Sequence, residues 1–183
     1  FEALNAVAYS AHPYRRPVIG WMADLEQMTA ADLRHWYQQW YVPNNATLVV
    51  VGDVDHEAVF RLAEKTYGQL KPRALPARKP IAEAPQKGSR RVTVKGPAEL
   101  PQVLLAWKAP TLRDVNKDSD PYALEMLGAV LDGHDGARLT QHLVKDQRLA
   151  QSVGSGYDNS SRGPSLFLML GTPAEGHTPA ELE

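Results

Sequence analysis

The sequence predicts an α+β fold built from two α/β sandwich pieces, each a sheet covered by helices, that are joined by a proline-rich linker. Apolar residues recur at helical spacing in several segments, and the short apolar or alternating runs between those segments are typical of strands. Four prolines then fall between Pro72 and Pro85, where no hydrophobic periodicity survives. We therefore place a first domain at residues 1–70, the linker at 71–89 and a second domain at 90–183.

The composition excludes several classes of protein. The chain has 183 residues, a net charge of −1 and no cysteine. The lack of cysteine excludes disulfides and thiolate zinc sites, and a net charge near zero disfavours nucleic-acid binding. No apolar run approaches the roughly 20 residues that a membrane-spanning helix needs. Helical patterns at both ends lead us to expect an internal portion of a longer protein.

In the first domain, a short alanine-rich helix over residues 1–11 is broken at His12-Pro13. Thr29, followed three residues later by Asp32, predicts a capping box that opens a second helix. This helix runs to about Tyr41. We expect its apolar stripe to lie in a core, because the stripe has the spacing of a buried helix face: Leu33, Trp36, Tyr37 and Trp40.

The next strand and helix of the first domain surround the sequence "GDVD". A turn at Pro43-Asn44-Asn45 precedes residues 46–51, whose continuous apolar run predicts a strand buried on both faces. Asp55 is expected to cap a helix that extends to about Tyr67. A phosphate site or a Mg²⁺ site at "GDVD" is the alternative, but neither a second glycine nor a P-loop lysine is present.

Basic residues dominate the linker and its flank from Lys71 to Lys95, where Glu83 is the only acidic side chain before Lys95. Proline-rich sequences of this kind form extended, semi-rigid spacers. We interpret the segment as a solvated linker, and contact with an acidic partner is the alternative.

The second domain alternates strands and helices. Residues 103–107 predict a strand, and Asp118 or Ser119 is expected to cap a helix that Gly133 ends. A further helix is predicted over residues 137–145. Two strands should follow, at 149–157 and within "PSLFLMLGTP". Thr178-Pro179 then predicts the start of a last helix.

The motifs of catalysis are incomplete. The H-E pair at His56-Glu57 lacks the second histidine that a zinc peptidase helix requires. "SVGSGYDNSS" lies in an alternating strand pattern and does not form the G-x-S-x-G turn of a serine hydrolase. From the residues alone we assign no catalytic residue and no metal ligand.

Three segments resemble the pitrilysin/insulinase family of zinc metallopeptidases, and especially its bacterial members and mitochondrial processing peptidase. They are "AHPYRRPVIGWMADLEQMTAADLRHWYQQWYVPNNATLVVVGDVD", "DPYALEMLGAVLDGHDGARLTQHLVKDQRLAQSVGSGYD" and "GPSLFLMLGTPAEGHTPAELE". They occur in the family's order and cover nearly the whole chain. The resemblance implies that residues 1–70 end a metal-bearing peptidase domain and that residues 90–183 begin a second, metal-free one.

The resemblance also implies an activity. The family binds zinc through an H-x-x-E-H helix and a later glutamate, and it cleaves peptides or unfolded segments inside an enclosed chamber. This sequence has no H-x-x-E-H, so we expect zinc to be bound by the parent protein and not by these residues. The parent would be a zinc metalloendopeptidase, and the fragment itself would be inactive.

Substrate contacts in the second domain have diverged from the family pattern. Many members place an arginine and, seven residues later, a tyrosine against the substrate, and Val144 and Gln151 stand at the matching positions. The substrate-binding residues are therefore unknown. The departure keeps an alternative open, a non-catalytic homologous subunit of a two-chain assembly. Expected partners are a peptide substrate and such a subunit, and the resemblance to exported bacterial members suggests a periplasmic or exported location.

Overall fold

The computed structural model describes all residues from Phe1 to Glu183. The chain divides into two compact units, one formed by residues 1–18 together with 82–183 and the other by residues 19–81. Each unit is described by itself below.

The first unit is built on a three-stranded antiparallel sheet. Its strands are β1 (Val103–Ala109), β2 (Ala150–Gly156) and β3 (Ser165–Pro173), arranged in the order β1-β3-β2. Gly171 on the central strand pairs with Val103 on one side and with Val153 on the other. β3 is central because it carries the most apolar run of the three, and a central strand is covered on both faces and both edges.

Helices cover this sheet on both faces. They are α1 (Glu2–Ala8), α5 (Asp120–Asp132), a π-helix (Thr140–Asp146) and α6 (Pro179–Leu182). The π-helix and α6 bring Leu143 and Leu182 against the face that carries Leu105 and Met169, where they enclose a cavity of about 40 Å³. α1 packs against β1. Lys108 is three positions from Leu105, so its side chain lies on the opposite face of the sheet, the face that α1 covers.

Most elements predicted for residues 90–183 are confirmed. The three strands and α5 lie where expected, Gly133 follows the last residue of α5, and Thr178 caps α6 through a capping box. The helix expected over 137–145 differs in type, because residues 140–146 adopt the wider π-helical turn. Residues 91–95, where two valines alternate with polar residues in a pattern that would suit a strand, form no strand.

The second unit contains three α-helices, one short 3-10 helix and no sheet. The α-helices are α2 (Met22–Gln27), α3 (Ala30–Trp40) and α4 (His56–Thr66), and the 3-10 helix spans Pro43–Asn45. The capping box at Thr29 and Asp32 is confirmed, with the Thr29 N–H donating to the Asp32 carboxylate at 2.9 Å. The cap at Asp55 is also confirmed, because its Oδ1 accepts the Ala58 N–H at 3.1 Å.

The strand and the core predicted for this unit are wrong for this chain. Residues 46–51 are in neither helix nor strand, and Val51 is 92% exposed. The α3 stripe is also open to solvent, with Trp36 56% and Tyr37 58% exposed. An apolar run becomes a strand only if another strand pairs with it, and all three strands of the chain lie between residues 103 and 173. Only one of the two predicted sandwiches is therefore present.

The α+β class itself is confirmed. The proline-rich segment contains neither helix nor strand, and yet the Glu83 side chain within it is only 9% exposed, so the expected solvated linker is wrong at that residue. The domain limits 1–70, 71–89 and 90–183 stay a prediction.

Candidate functional site

The ionisable side chains form no metal-binding cluster. No group of three or more histidine, aspartate or glutamate side chains is placed to hold an ion. Two histidines instead stabilise local turns, since Nδ1 of His12 accepts the Tyr14 N–H at 3.2 Å and Nδ1 of His134 accepts the Gly136 N–H at 3.0 Å. Zinc therefore has no donor set among these residues.

The first position of the expected substrate-contact pair, Val144, lies on the π-helix and is half-buried. The π-helical turn is visible in the bond from the Gln147 N–H to the His142 carbonyl at 2.9 Å, which spans five residues. Such turns are rare and occur frequently at functional sites. An aliphatic side chain at this position offers packing and no hydrogen bond.

Arg148 connects the π-helix to β2 in a strained conformation. Its φ of 55° makes it the only non-glycine residue with positive φ. A residue in this left-handed region reverses the chain direction sharply, and any side chain other than glycine pays a steric cost there. The turn brings the chain from the π-helix to the edge of the sheet within three residues.

Gln151, the second position of the pair, is a β-bulge residue. Ala150 pairs with Pro173 and Ser152 pairs with Thr172, so Gln151 has no partner on β3. A bulge bends an edge strand and changes the direction of its side chain. Gln151 is exposed as a result.

The bulge directs Gln151 to an open depression of about 650 Å³. Its other walls are Leu100 and Pro101 and the segment 173–177, which follows β3. His177 lies in this wall with a buried Nδ1 that makes no hydrogen bond and is 3.7 Å from Glu181 Oε2. The hydrogen bonds that Thr178 donates to the Glu181 carboxylate lower the pKa of Glu181, so this acid stays ionised beside the histidine.

The depression combines an amide at Gln151 and an imidazole at His177 with apolar side chains at Leu100 and Pro101. It contains no serine or cysteine nucleophile hydrogen-bonded to a base.

Of the two positions that the family spacing singled out, Gln151 lines the depression and Val144 is not among its lining residues. Nothing in the sequence marked 173–177 as the neighbour of Gln151. Gly176, whose φ is 85°, gives the one local signal, because a turn there folds His177 back toward the sheet edge.

Comparisons with known proteins agree with one another. The family model described as the peptidase M16 inactive domain matches residues 27–182. Zinc protease PqqE of Helicobacter pylori is 32% identical over 168 residues, which are 89% of this chain and 36% of that protein. The chain thus spans little more than a third of that relative.

A solved structure and a eukaryotic relative extend the similarity. The crystal structure of a protease from Helicobacter pylori matches with a TM-score of 0.83 and 30% identity, over 98% of this chain and 43% of that one. A probable mitochondrial-processing peptidase subunit beta of Schizosaccharomyces pombe is 34% identical over 74 residues, which are 40% of this chain and 16% of that protein.

Proposed function

The chain belongs to the peptidase M16 family, as the resemblance to pitrilysin-type peptidases indicated, and from that premise we propose that it encloses the substrate of a zinc metalloendopeptidase whose metal is bound outside these residues. The observation that carries the proposal is the match of residues 27–182 to the inactive domain of the family. The relative in Helicobacter pylori, itself named a zinc protease, supports it.

The zinc would supply an activated water that attacks a peptide carbonyl. The residues of this chain contribute to binding alone. Gln151 and His177 exchange hydrogen bonds with the backbone of an extended peptide. Leu100 and Pro101 contact the side chains of that peptide. Val144 and Gln151 replace an arginine and a tyrosine, so this side of the chamber holds substrate without stabilising a developing oxyanion.

The test uses the full-length protein with an unstructured peptide as substrate. We expect hydrolysis that a chelator abolishes and added zinc restores, with one zinc bound per protein molecule. Gln151→Ala should raise KM about 3–10-fold and leave kcat within twofold, because it removes binding that the ground state and the transition state share. Glu99→Gln, on an exposed residue that makes no hydrogen bond, is the control. A full-length protein that binds no zinc would refute the proposal.

The alternative is a non-catalytic subunit that becomes part of a peptidase only with a homologous partner. Val144 and Gln151 favour it, and so does the similarity to a mitochondrial-processing peptidase subunit. The full-length protein alone would then be inactive, and hydrolysis would appear when a homologous subunit that carries H-x-x-E-H is added.

A periplasmic or exported location remains a prediction. No helix of the structure is long and apolar enough to cross a bilayer. Fractionation of cells that express the tagged full-length protein would test the location directly.

A further inference from the structure

The Glu83 carboxylate occupies a cradle of three consecutive backbone amides. Oε1 accepts the Ser10 N–H at 2.7 Å, and Oε2 accepts the Ala11 and His12 N–H groups at 2.8 Å each. Lys108 Nζ on β1 lies 2.9 Å from Oε1 and closes the cradle from the sheet side. Consecutive amides that point at one acceptor form an anion-binding concavity of the kind that holds phosphates and carboxylates.

The cradle belongs to a segment that is fixed on the sheet at two further points. The Tyr9 hydroxyl donates to the Pro164 carbonyl at 3.1 Å, and the Tyr14 hydroxyl accepts the Gly163 N–H at 3.1 Å. Lys108 Nζ also lies 5.8 Å from the centre of the Tyr9 ring, within the range of a cation–π contact.

The segment from residue 82 to residue 102, which begins inside the linker, has few attachments of its own and forms neither helix nor strand. Besides Glu83, the Arg90 guanidinium donates to the Val7 carbonyl at 2.7 Å and Arg91 pairs with Glu183. Both arginines are exposed, and only the Glu83 side chain is withdrawn from solvent. All three attachments are charge-assisted, but solvent weakens the contacts of the two exposed arginines, whereas Glu83 accepts four bonds with a side chain that is only 9% exposed. Glu83 therefore dominates these attachments.

We propose that Glu83 is a conformational latch, a carboxylate that fastens the proline-rich linker to the amide cradle at residues 10–12 and to Lys108. Its release frees the linker and the three amides of the cradle, while the Tyr9 and Tyr14 hydroxyls keep their bonds to Pro164 and Gly163. The latch does not depend on peptidase activity. In the parent protein, the linker is held in one place while the Glu83 carboxylate is bound in the cradle. When the carboxylate dissociates from the cradle, the linker becomes mobile.

Amide hydrogen exchange on the full-length protein tests the latch. Glu83→Gln keeps the shape of the side chain but replaces one acceptor oxygen by an NH₂ donor that faces the amides. We expect exchange at residues 10–12 to accelerate at least 10-fold in this variant and to stay unchanged in Glu99→Gln, the matched control in the same 82–102 segment. Unchanged exchange at residues 10–12 in Glu83→Gln would overturn the proposal.

A second variant covers the case in which Glu83→Gln does not fold. Lys108→Gln removes one of the four partners and leaves the three amide bonds, so the same amides should exchange about 2–5-fold faster. Limited trypsin digestion gives an independent readout, because the exposed Lys87 precedes Gly88 in the linker, and release gives the backbone around it the freedom to enter the active site of the protease. Faster cleavage after Lys87 in Lys108→Gln supports the latch, whereas wild-type rates of both exchange and cleavage contradict it.

Discussion

Glu83→Gln should lower the stability of the first unit by about 2–4 kcal/mol. The wild-type carboxylate accepts three amide bonds and one bond from Lys108. Hydrogen bonds to charged groups contribute about 1.5–3 kcal/mol each, and leaving a shielded donor without an acceptor costs about 1–3 kcal/mol. The glutamine oxygen retains one or two of the four bonds, which sets the lower end of the range. For a chain of this size the melting temperature should fall by about 5–12 °C.

The effect should depend on pH in a defined direction. The amide bonds from Ser10, His12 and Ala11 and the Lys108 contact hold the pKa of Glu83 far below its usual range. Because its pKa is lowered in the folded state, ionised Glu83 contributes to the free energy of unfolding. This contribution has its full value above the unfolded pKa of about 4.3 and declines as the pH falls below that value. The difference in melting temperature between wild type and Glu83→Gln should therefore be constant from pH 6 to 8 and shrink below about pH 4.5.

The assay is thermal unfolding followed by circular dichroism across that pH range. Other carboxylates, including Asp118 and Asp158, also have lowered pKa values, but they contribute equally to both proteins and cancel in the difference. A difference that stays the same down to pH 3, or that grows as the solution is acidified, would show that the charge of Glu83 is not the cause.

Four further outcomes follow from single positions. Gly163→Ala should cost about 1–3 kcal/mol, since its Cβ would lie 2.6 Å from the Tyr14 ring, and a Tyr14→Ala background should relieve most of that cost in a denaturant double-mutant cycle. Arg148→Gly should raise stability by about 0.5–1 kcal/mol by removing the strain at φ 55°, and a lower denaturation midpoint would contradict this. Gln151→Tyr should tighten peptide binding by the full-length protein severalfold in a fluorescence titration, if the depression faces substrate. Val51→Lys should change stability of the chain by less than about 0.5 kcal/mol, because the side chain is 92% exposed, and a large loss would show that residues 46–51 are packed.

Local signals in the sequence predicted local structure well. The capping box at Thr29 and Asp32, the Asp55 cap and the end of α5 at Gly133 all depend on residues within four positions of one another, so their hydrogen bonds form wherever the helix forms. The strands of the second domain were predictable for a related reason, because β1 and β3 are apolar runs and β2 follows an alternating pattern, and both patterns are read from neighbouring residues.

The family spacing names Val144 and Gln151 as the substrate-contact positions, and their role stays a prediction. The bulge at Gln151 could not be predicted, because it depends on the register between β2 and β3, and register is set by pairing across the sheet.

The sequence by itself determined the helix caps at Thr29, Asp55 and Thr178, the apolar runs and the family. Tertiary structure alone decided which apolar runs paired as strands and that the Glu83 carboxylate was shielded from solvent. Residues 46–51 are as apolar as β3, yet only β3 lies between two other strands. Glu83 looks like any linker glutamate in the sequence, and its role comes from three amides more than 70 positions earlier in the chain. Hydrophobicity is a property of each residue, whereas pairing and hydrogen-bond partners belong to the folded arrangement.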